Sequence, residues 1–291
     1  MKKTFFEDWI RSPLDIIIDN SERLIEKTKD WEQNDFISNL QRINTANKHL
    51  LELVNDMPDS PLNIHIGFYY DLRTPLCPII SYSERLKKEA ENLGRFDLVS
   101  DLQKIHATAK HLLNRVNNAF DLSKIEAGRM ELYIEPVDLQ AFLNDIVSAV
   151  QPLVAKKANT LEIEHPKVLG KMQTDRSKLR QMVLNLLSNA AKFTEQGTIC
   201  LKVDLQTRIN GKWLLFNVVD NGIGMTDEQQ KNLFQPFTQV DTSATRLHGN
   251  TGIGIGLAIS KRFAKMMGGA IEVNSEFERG STFTLSLPRR G

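Results

Sequence analysis

The chain carries little that would tie it to an oxidising compartment, a membrane or a polyanion. Only two cysteines occur among 291 residues, Cys77 and Cys200, far apart and without metal-ligand or pairing spacing. Both are expected as reduced thiols in a cytoplasmic protein. No run of about 20 apolar residues is present, so no bilayer-spanning helix is expected. The opening MKKTFFEDWIRSPLDII has two lysines, but Glu7, Asp8, Arg11 and Pro13 interrupt it before a signal-peptide core can form. Neither charge dominates: 37 Lys and Arg stand against 36 Asp and Glu, a net +1. Nothing in that balance calls for nucleic acid or an acidic surface as a partner. No sensor module is legible, so a signal would have to arrive through another molecule. What remains is a globular balance of 41% hydrophobic and 25% charged residues, long enough for two domains.

The first 125 residues contain a repeat. Shifting the chain by 62 lays RSPLDIIIDNSERL from Arg11 over RTPLCPIISYSERL from Arg73, and LQRINTANKHLLELVN from Leu40 over LQKIHATAKHLLNRVN from Leu102. About 20 of 45 paired positions are identical, without a gap. Each copy reads as a helical hairpin. In the second, Leu72, Leu76, Ile79 or Ile80, and Leu86 recur at helical spacing. After a turn near Asn92-Leu93-Gly94, so do Leu98, Leu102, Ile105, Ala109, Leu112, Val116 and Phe120. Pro13 and Pro75 fall inside the first helices, and MPDSPLN from Met57 breaks the copies apart. One apolar stripe per hairpin cannot be buried alone. Packing the two hairpins gives a four-helix bundle within one chain, and pairing each hairpin with a second chain gives a homodimer. The expected division is a degenerate first hairpin over 1–57, a linker over 58–66, a second hairpin over 67–127 and a second domain over 128–291.

From about Gly128 the pattern becomes mixed. RMELYIEPVDL reads as a strand and loop, Leu139 to Lys156 as a helix and LEIEH as a short strand. TDRSKLRQMVLNLLSNAAKFT opens on Thr174-Asp175, suited to capping a long helix. TICLKVDLQTRINGKWLLFNVVDNG gives two strands joined at Asn210-Gly211, and GSTFTLSLP a last one. The fold class expected is α+β: a helical bundle followed by an α/β sandwich with helices on one face of an antiparallel sheet.

Four motifs stand in order on that sandwich. In LNLLSNAAKF, Asn185 and Asn189 lie on one helical face with Lys192 beyond. An amide oxygen suits Mg2+ and a lysine suits phosphate. In VVDNGIGM, Asp220 can accept from an exocyclic amine, while Gly222 and Gly224 allow close approach to a ring. LFQPF places Phe234 and Phe237 around Pro236, and NTGIGIGLAISK offers glycine N–H groups to a polyphosphate at a helix start. Singly, each motif is equally an ordinary polar face, a turn or a loop.

Taken together these motifs resemble the bacterial two-component sensor histidine kinases, whose ATP-binding domain shares its fold with gyrase and Hsp90. The likeness runs from Phe68 through DLSKIEAGRMEL to the C-terminus. It implies ATP and Mg2+ as cofactors. By that resemblance Asn189 would hold Mg2+, with Asn185 and Lys192 near the phosphates and Phe193 beside them. Asp220 would bind the adenine amine, and Gly222 and Gly224 would shape the base pocket. Thr251, Gly252, Gly254, Gly256 and Leu257 would belong to the lid, anchored by Phe234 and Phe237. The glycine run carries an additional Gly-Ile step relative to the usual T-G-L-G-L. The partner implied is a response-regulator receiver domain or another histidine kinase.

The larger departure lies in FYYDLRTPL. Tyr70 occupies the position of the family's phosphorylated histidine, and the first copy has Asp8 there. A phenol titrates near 10, about three units above neutrality, and is a weak nucleophile unless a base acts on it. His65 lies on the linker side of this motif, while His49 and His111 match each other late in the second helices, as packing or surface positions do. Asp71 and Thr74 persist. In the family the acid assists phosphoryl transfer, and a hydroxyl three residues on orients water for dephosphorylating a response regulator. Three readings follow: a Mg-ATP-binding regulator that does not phosphorylate itself at this position, an active kinase using Tyr70 or a partner's histidine, and a docking module without catalysis.

Overall fold

The computed structural model describes residues 2–31, 33–56, 66–236 and 254–290. The chain divides into two compact units, Met1–Arg129 and Met130–Gly291.

The first unit is four helices: α1 (Lys2–Thr28), α2 (Asn34–Asn55), α3 (Ile66–Asn92) and α4 (Phe96–Glu126). They pack as a ring in which each helix touches its two neighbours, so all four sides of the bundle come from one chain. The duplication is visible in the core. Leu14 and Leu76, Ile17 and Ile79, Leu24 and Leu86, Leu40 and Leu102, Ile43 and Ile105, and Leu50 and Leu112 are repeat-related pairs, and all twelve are fully buried. Each stripe is thus read twice by the same bundle, at about 2 kcal/mol per fully buried leucine or isoleucine. Pro13, Pro75 and Pro78 lie inside helices that continue past them. Of the two candidate core residues at 79 and 80, Ile79 is the buried one. Phe120 departs from the expected stripe: it is half-buried, and Ala119 and Leu122 fill the core beside it. Gly94, at φ 68°, makes the tight turn between α3 and α4. The segment 58–65, most of the expected linker, and His65 lie outside the described residues.

The second unit runs β1 (Glu135–Asp138), α5 (Leu139–Ala155), β2 (Thr160–Glu164), β3 (Lys171–Thr174), α6 (Arg176–Phe193), β4 (Thr198–Arg208), β5 (Gly211–Asp220), α7 (Asp227–Asn232), α8 (Gly256–Met266), β6 (Ala270–Glu276) and β7 (Gly280–Pro288). Five strands form one sheet in the order β2-β4-β5-β7-β6, and β1 pairs with β3 in a small separate ladder. Helices α5, α6 and α8 lie side by side against the sheet. Alternation explains why. Leu214, Phe216 and Val218 are fully buried, as are Ile199, Leu201, Leu285 and Leu287 on the flanking strands. On the other face Asn217 accepts from Thr284 Oγ1 at 2.9 Å and reaches Asp204 at 3.4 Å, a polar row across three strands.

The sheet is not wholly antiparallel as the sequence suggested. β2 pairs with β4 in parallel, Thr160 against Thr198. The β3–α6 crossover between them supplies the length that a parallel pair needs. Two boundaries also differ. β1 begins only at Glu135, and the β4–β5 turn is Ile209-Asn210, with Gly211 already paired to Arg208 at φ 113°. Asp175 alone caps α6, accepting from Lys178 N at 3.0 Å, while Thr174 ends β3.

Candidate functional site

Asp220 ends β5 at the middle of the sheet, and the chain then turns back across the end of α6. The turn is held tightly. Ile223 N donates to the Phe193 carbonyl at 3.2 Å, and Thr198 N donates to Asn221 Oδ1 at 2.8 Å. A Cβ on Gly222 would collide with the Phe193 carbonyl and lie 2.8 Å from Thr194 Oγ1. Gly224 has φ 61°, and a Cβ there would strike the Glu276 carbonyl. The two glycines let three segments meet at van der Waals distance around one carboxylate.

That carboxylate is buried, 7% exposed. Gly222 N donates to its Oδ1 at 3.0 Å, and the Ser281 backbone on β7 supplies a second bond. Burial raises the Asp220 pKa, and these two amide donors only partly oppose it. No lysine or arginine contributes to the shift. Next to Gly222, Thr194 Oγ1 is buried without a hydrogen-bond partner among the described residues. A buried acceptor and an unpaired hydroxyl in one place suit a ligand edge with both donor and acceptor atoms.

The N-terminal end of α8 forms the second part of the site. Asn185 Nδ2 donates to Ser260 Oγ at 3.1 Å, and a Cβ on Gly256 would collide with Asn185 Oδ1. The amide of α6 therefore lies against the first turn of α8, where backbone N–H groups are unsatisfied by the helix itself. Asn189 is half-buried one turn further along α6. Lys192 follows. Its Nζ lies 4.9 Å from the Phe193 ring centroid, and burial lowers its pKa, with the nearby Lys157 charge adding to the effect. Gly254 has φ 69°, and Leu257 is half-buried in the first turn of α8. Phe234 is half-buried with Lys261 Nζ over its ring at 4.5 Å. Phe237, Thr251 and Gly252 lie outside the described residues.

The donor chemistry fits Mg-nucleotide. Two amide oxygens on one helical face match a hard cation, a lysine and a helix start match phosphates, and a buried carboxylate matches an amine. Thr194, Ser260 and Ser281 were not foreseen. Thr194 directly follows the Lys192-Phe193 pair, which was a usable signal. Ser260 and Ser281 read only as helix and strand positions, because their contacts come from the sheet and from α8.

In the bundle, Tyr70, Asp71 and Thr74 are all exposed on α3. Thr74 Oγ1 donates back to the Tyr70 carbonyl at 2.8 Å, one turn earlier in the helix. The Tyr70 ring meets Phe120 edge-on, centroids 5.3 Å apart. Tyr69, its neighbour, is 4% exposed, and burial pushes its phenol up to about 12. Cys77 is exposed and Cys200 half-buried, both free thiols.

Comparison with known proteins now decides the family. Residues 70–128 match the His Kinase A (phospho-acceptor) domain. Residues 174–291 match the histidine kinase-, DNA gyrase B-, and HSP90-like ATPase family. The chain belongs to the two-component sensor histidine kinase family. Among its relatives is the circadian input-output histidine kinase CikA of Synechococcus elongatus, 36% identical over 76% of this chain and 29% of that protein. The aerobic respiration control sensor protein ArcB of Escherichia coli is 38% identical over 75% of this chain and 27% of its own length. Full-length ShkA, solved in complex with AMPPNP, superposes with a TM-score of 0.59 at 27% identity, covering 77% of this chain and 45% of that one. The chain thus spans between about a tenth and a third of the length of the curated relatives it matches. No described helix is long and apolar enough to cross a membrane.

Proposed function

We propose that this chain is a Mg-ATP-binding signalling protein that does not phosphorylate itself at the position its family uses. Its bundle serves to dock a response-regulator receiver domain or another histidine kinase. The observation that carries the reading is the contrast between Asp220 and Tyr70. Asp220 stays buried with amide donors as its partners among the described residues. A buried carboxylate without a cationic partner costs free energy, and ligand binding is a reason to keep one. In its assigned role it accepts from the adenine amine, beside Thr194 and between the two glycines. Asn189 would hold Mg2+, with Asn185 and Lys192 near the phosphates. The bound metal would neutralise phosphate charge. Phe193, Phe234, Gly254, Gly256 and Leu257 would complete the pocket.

At the bundle, Tyr70 offers a phenol against the apolar Phe120 ring. Thr74 is exposed and close to Asp71, which supports a role in positioning water for dephosphorylation of a docked receiver domain. The domain limits assigned are a first hairpin over 1–57, a linker over 58–66, a second hairpin over 67–127 and the ATP-binding domain over 128–291. Calorimetric titration with ATP and Mg2+ tests the pocket. Saturable binding that Asp220→Asn weakens strongly is expected, and equal affinity in both proteins would refute the assignment. Incubation with a phosphorylated receiver domain tests the bundle: faster loss of phosphate that Thr74→Ala abolishes is expected.

A further inference from the structure

The two hairpins are copies in sequence but not in charge, and the differences fall on the contacts between them. Asp101 on α4 is only 4% exposed. Its carboxylate receives Lys27 Nζ from α1 at 2.9 Å and Arg23 Nη1 at 3.5 Å. Lys27 Nζ also donates to the Asp97 carbonyl at 3.2 Å. Nearby, the Arg95 guanidinium lies 4.3 Å from the Trp31 ring centroid. On the opposite seam, Arg42 of α2 donates to the Tyr82 hydroxyl of α3 at 2.7 Å. Every one of these contacts joins a residue of the first copy to a residue of the second.

The shift of 62 shows what a second copy of the same hairpin would bring instead. The counterpart of Lys27 is Glu89, that of Asp101 is Asn39, and that of Trp31 is Leu93. Two second hairpins paired together would leave Arg85 at the Arg23 position but set the Glu89 carboxylate at the Lys27 position, against a buried Asp101. Arg95 would face leucine. Two first hairpins paired together would set Arg23 and Lys27 against Asn39, Trp31 against Gln33, and Arg42 against Asn20. Like charges brought together at a desolvated position, or a charge left without its partner, disfavour both pairings.

We propose that the pairing face of the α3–α4 hairpin is filled by the α1–α2 hairpin of its own chain, and that the diverged charges exclude a second copy from it. The duplication has turned a self-pairing surface into two complementary ones. This inference stands apart from the nucleotide assignment and would survive its failure.

Isotope-coded crosslinking tests it on the whole chain. Unlabelled and 15N-labelled protein are mixed in denaturant, refolded together, checked by circular dichroism and treated with a zero-length carbodiimide that joins amines to carboxylates. The Lys27–Asp101 crosslinked peptide is expected, with both halves carrying the same isotope. Pairing between chains would instead give about half of that peptide with mixed isotopes, and this result overturns the proposal. Absence of the Lys27–Asp101 crosslink overturns it as well. The variants give a second readout. Asp101→Lys is expected to lower the bundle Tm by about 10 °C, and Lys27→Asp in the same chain to recover much of the loss. Recovery on mixing the two single variants, as separate chains, would place the pairing between molecules and contradict the proposal.

Discussion

The two units of this chain treat their buried charge in opposite ways. In the bundle, Asp101 is buried but met by Lys27 and Arg23, so its charge is compensated and serves to choose a packing partner. In the α/β unit, Asp220 is buried to a similar degree and, among the described residues, is met by backbone amides. A compensated charge is explained by the fold that surrounds it. An uncompensated one asks for something the fold lacks. The second unit therefore advertises a ligand, while the first advertises an internal partnership.

The hardest way to break this comparison is through the cores. Phe216→Ala, beneath α5 with the Phe142 ring 6.3 Å away, is expected to cost about 4 kcal/mol. Leu102→Ala in the bundle is expected to cost about 3 kcal/mol. Two calorimetric unfolding transitions, each shifted by only one of these changes, would bear out units of separate stability. Next comes Asp220→Asn. Losing a charge-assisted bond to the ligand is expected to weaken ATP by about 100-fold, some 2.7 kcal/mol. The same change is expected to leave Tm unchanged or raise it, because the amide keeps the Gly222 bond and the cost of the buried charge disappears.

Acidity sharpens the contrast further. The folded-state pKa of Asp220 is raised, so the folded chain takes up this proton more readily than the unfolded chain does. The stability the group contributes is full below the ordinary carboxylate range and is lost as pH rises through its raised folded value. Its function runs the other way, since protonation removes the acceptor. ATP affinity is expected to fall on acidification before ordinary carboxylates titrate, and Asp220→Asn is expected to remove that dependence, as measured by titration across a pH series. The smallest expected effect is at Tyr70→Phe, which should leave both ATP affinity and Tm unchanged.

Much of this contrast was legible before folding. The shift of 62 located the bundle and its paired core positions, because both rest on periodicity and spacing, and the motifs supplied the candidate residues of the nucleotide site. The sequence did not reveal the parallel β2–β4 pair, since a strand's direction depends on a distant crossover. Nor did it reveal Phe120 leaving the stripe, which follows from the aromatic neighbours Tyr69 and Tyr70 on another helix. Thr194, Ser260 and Ser281 escaped for the same reason.

The central claim is the proposal that the chain binds Mg-ATP and takes no phosphate at Tyr70. Incubating the purified chain with γ-labelled ATP and Mg2+, alongside Tyr70→His, tests it most directly. Acid-labile label on Tyr70→His and none on the unaltered chain is the expected result. Acid-labile phosphate accumulating on the unaltered chain would contradict the account.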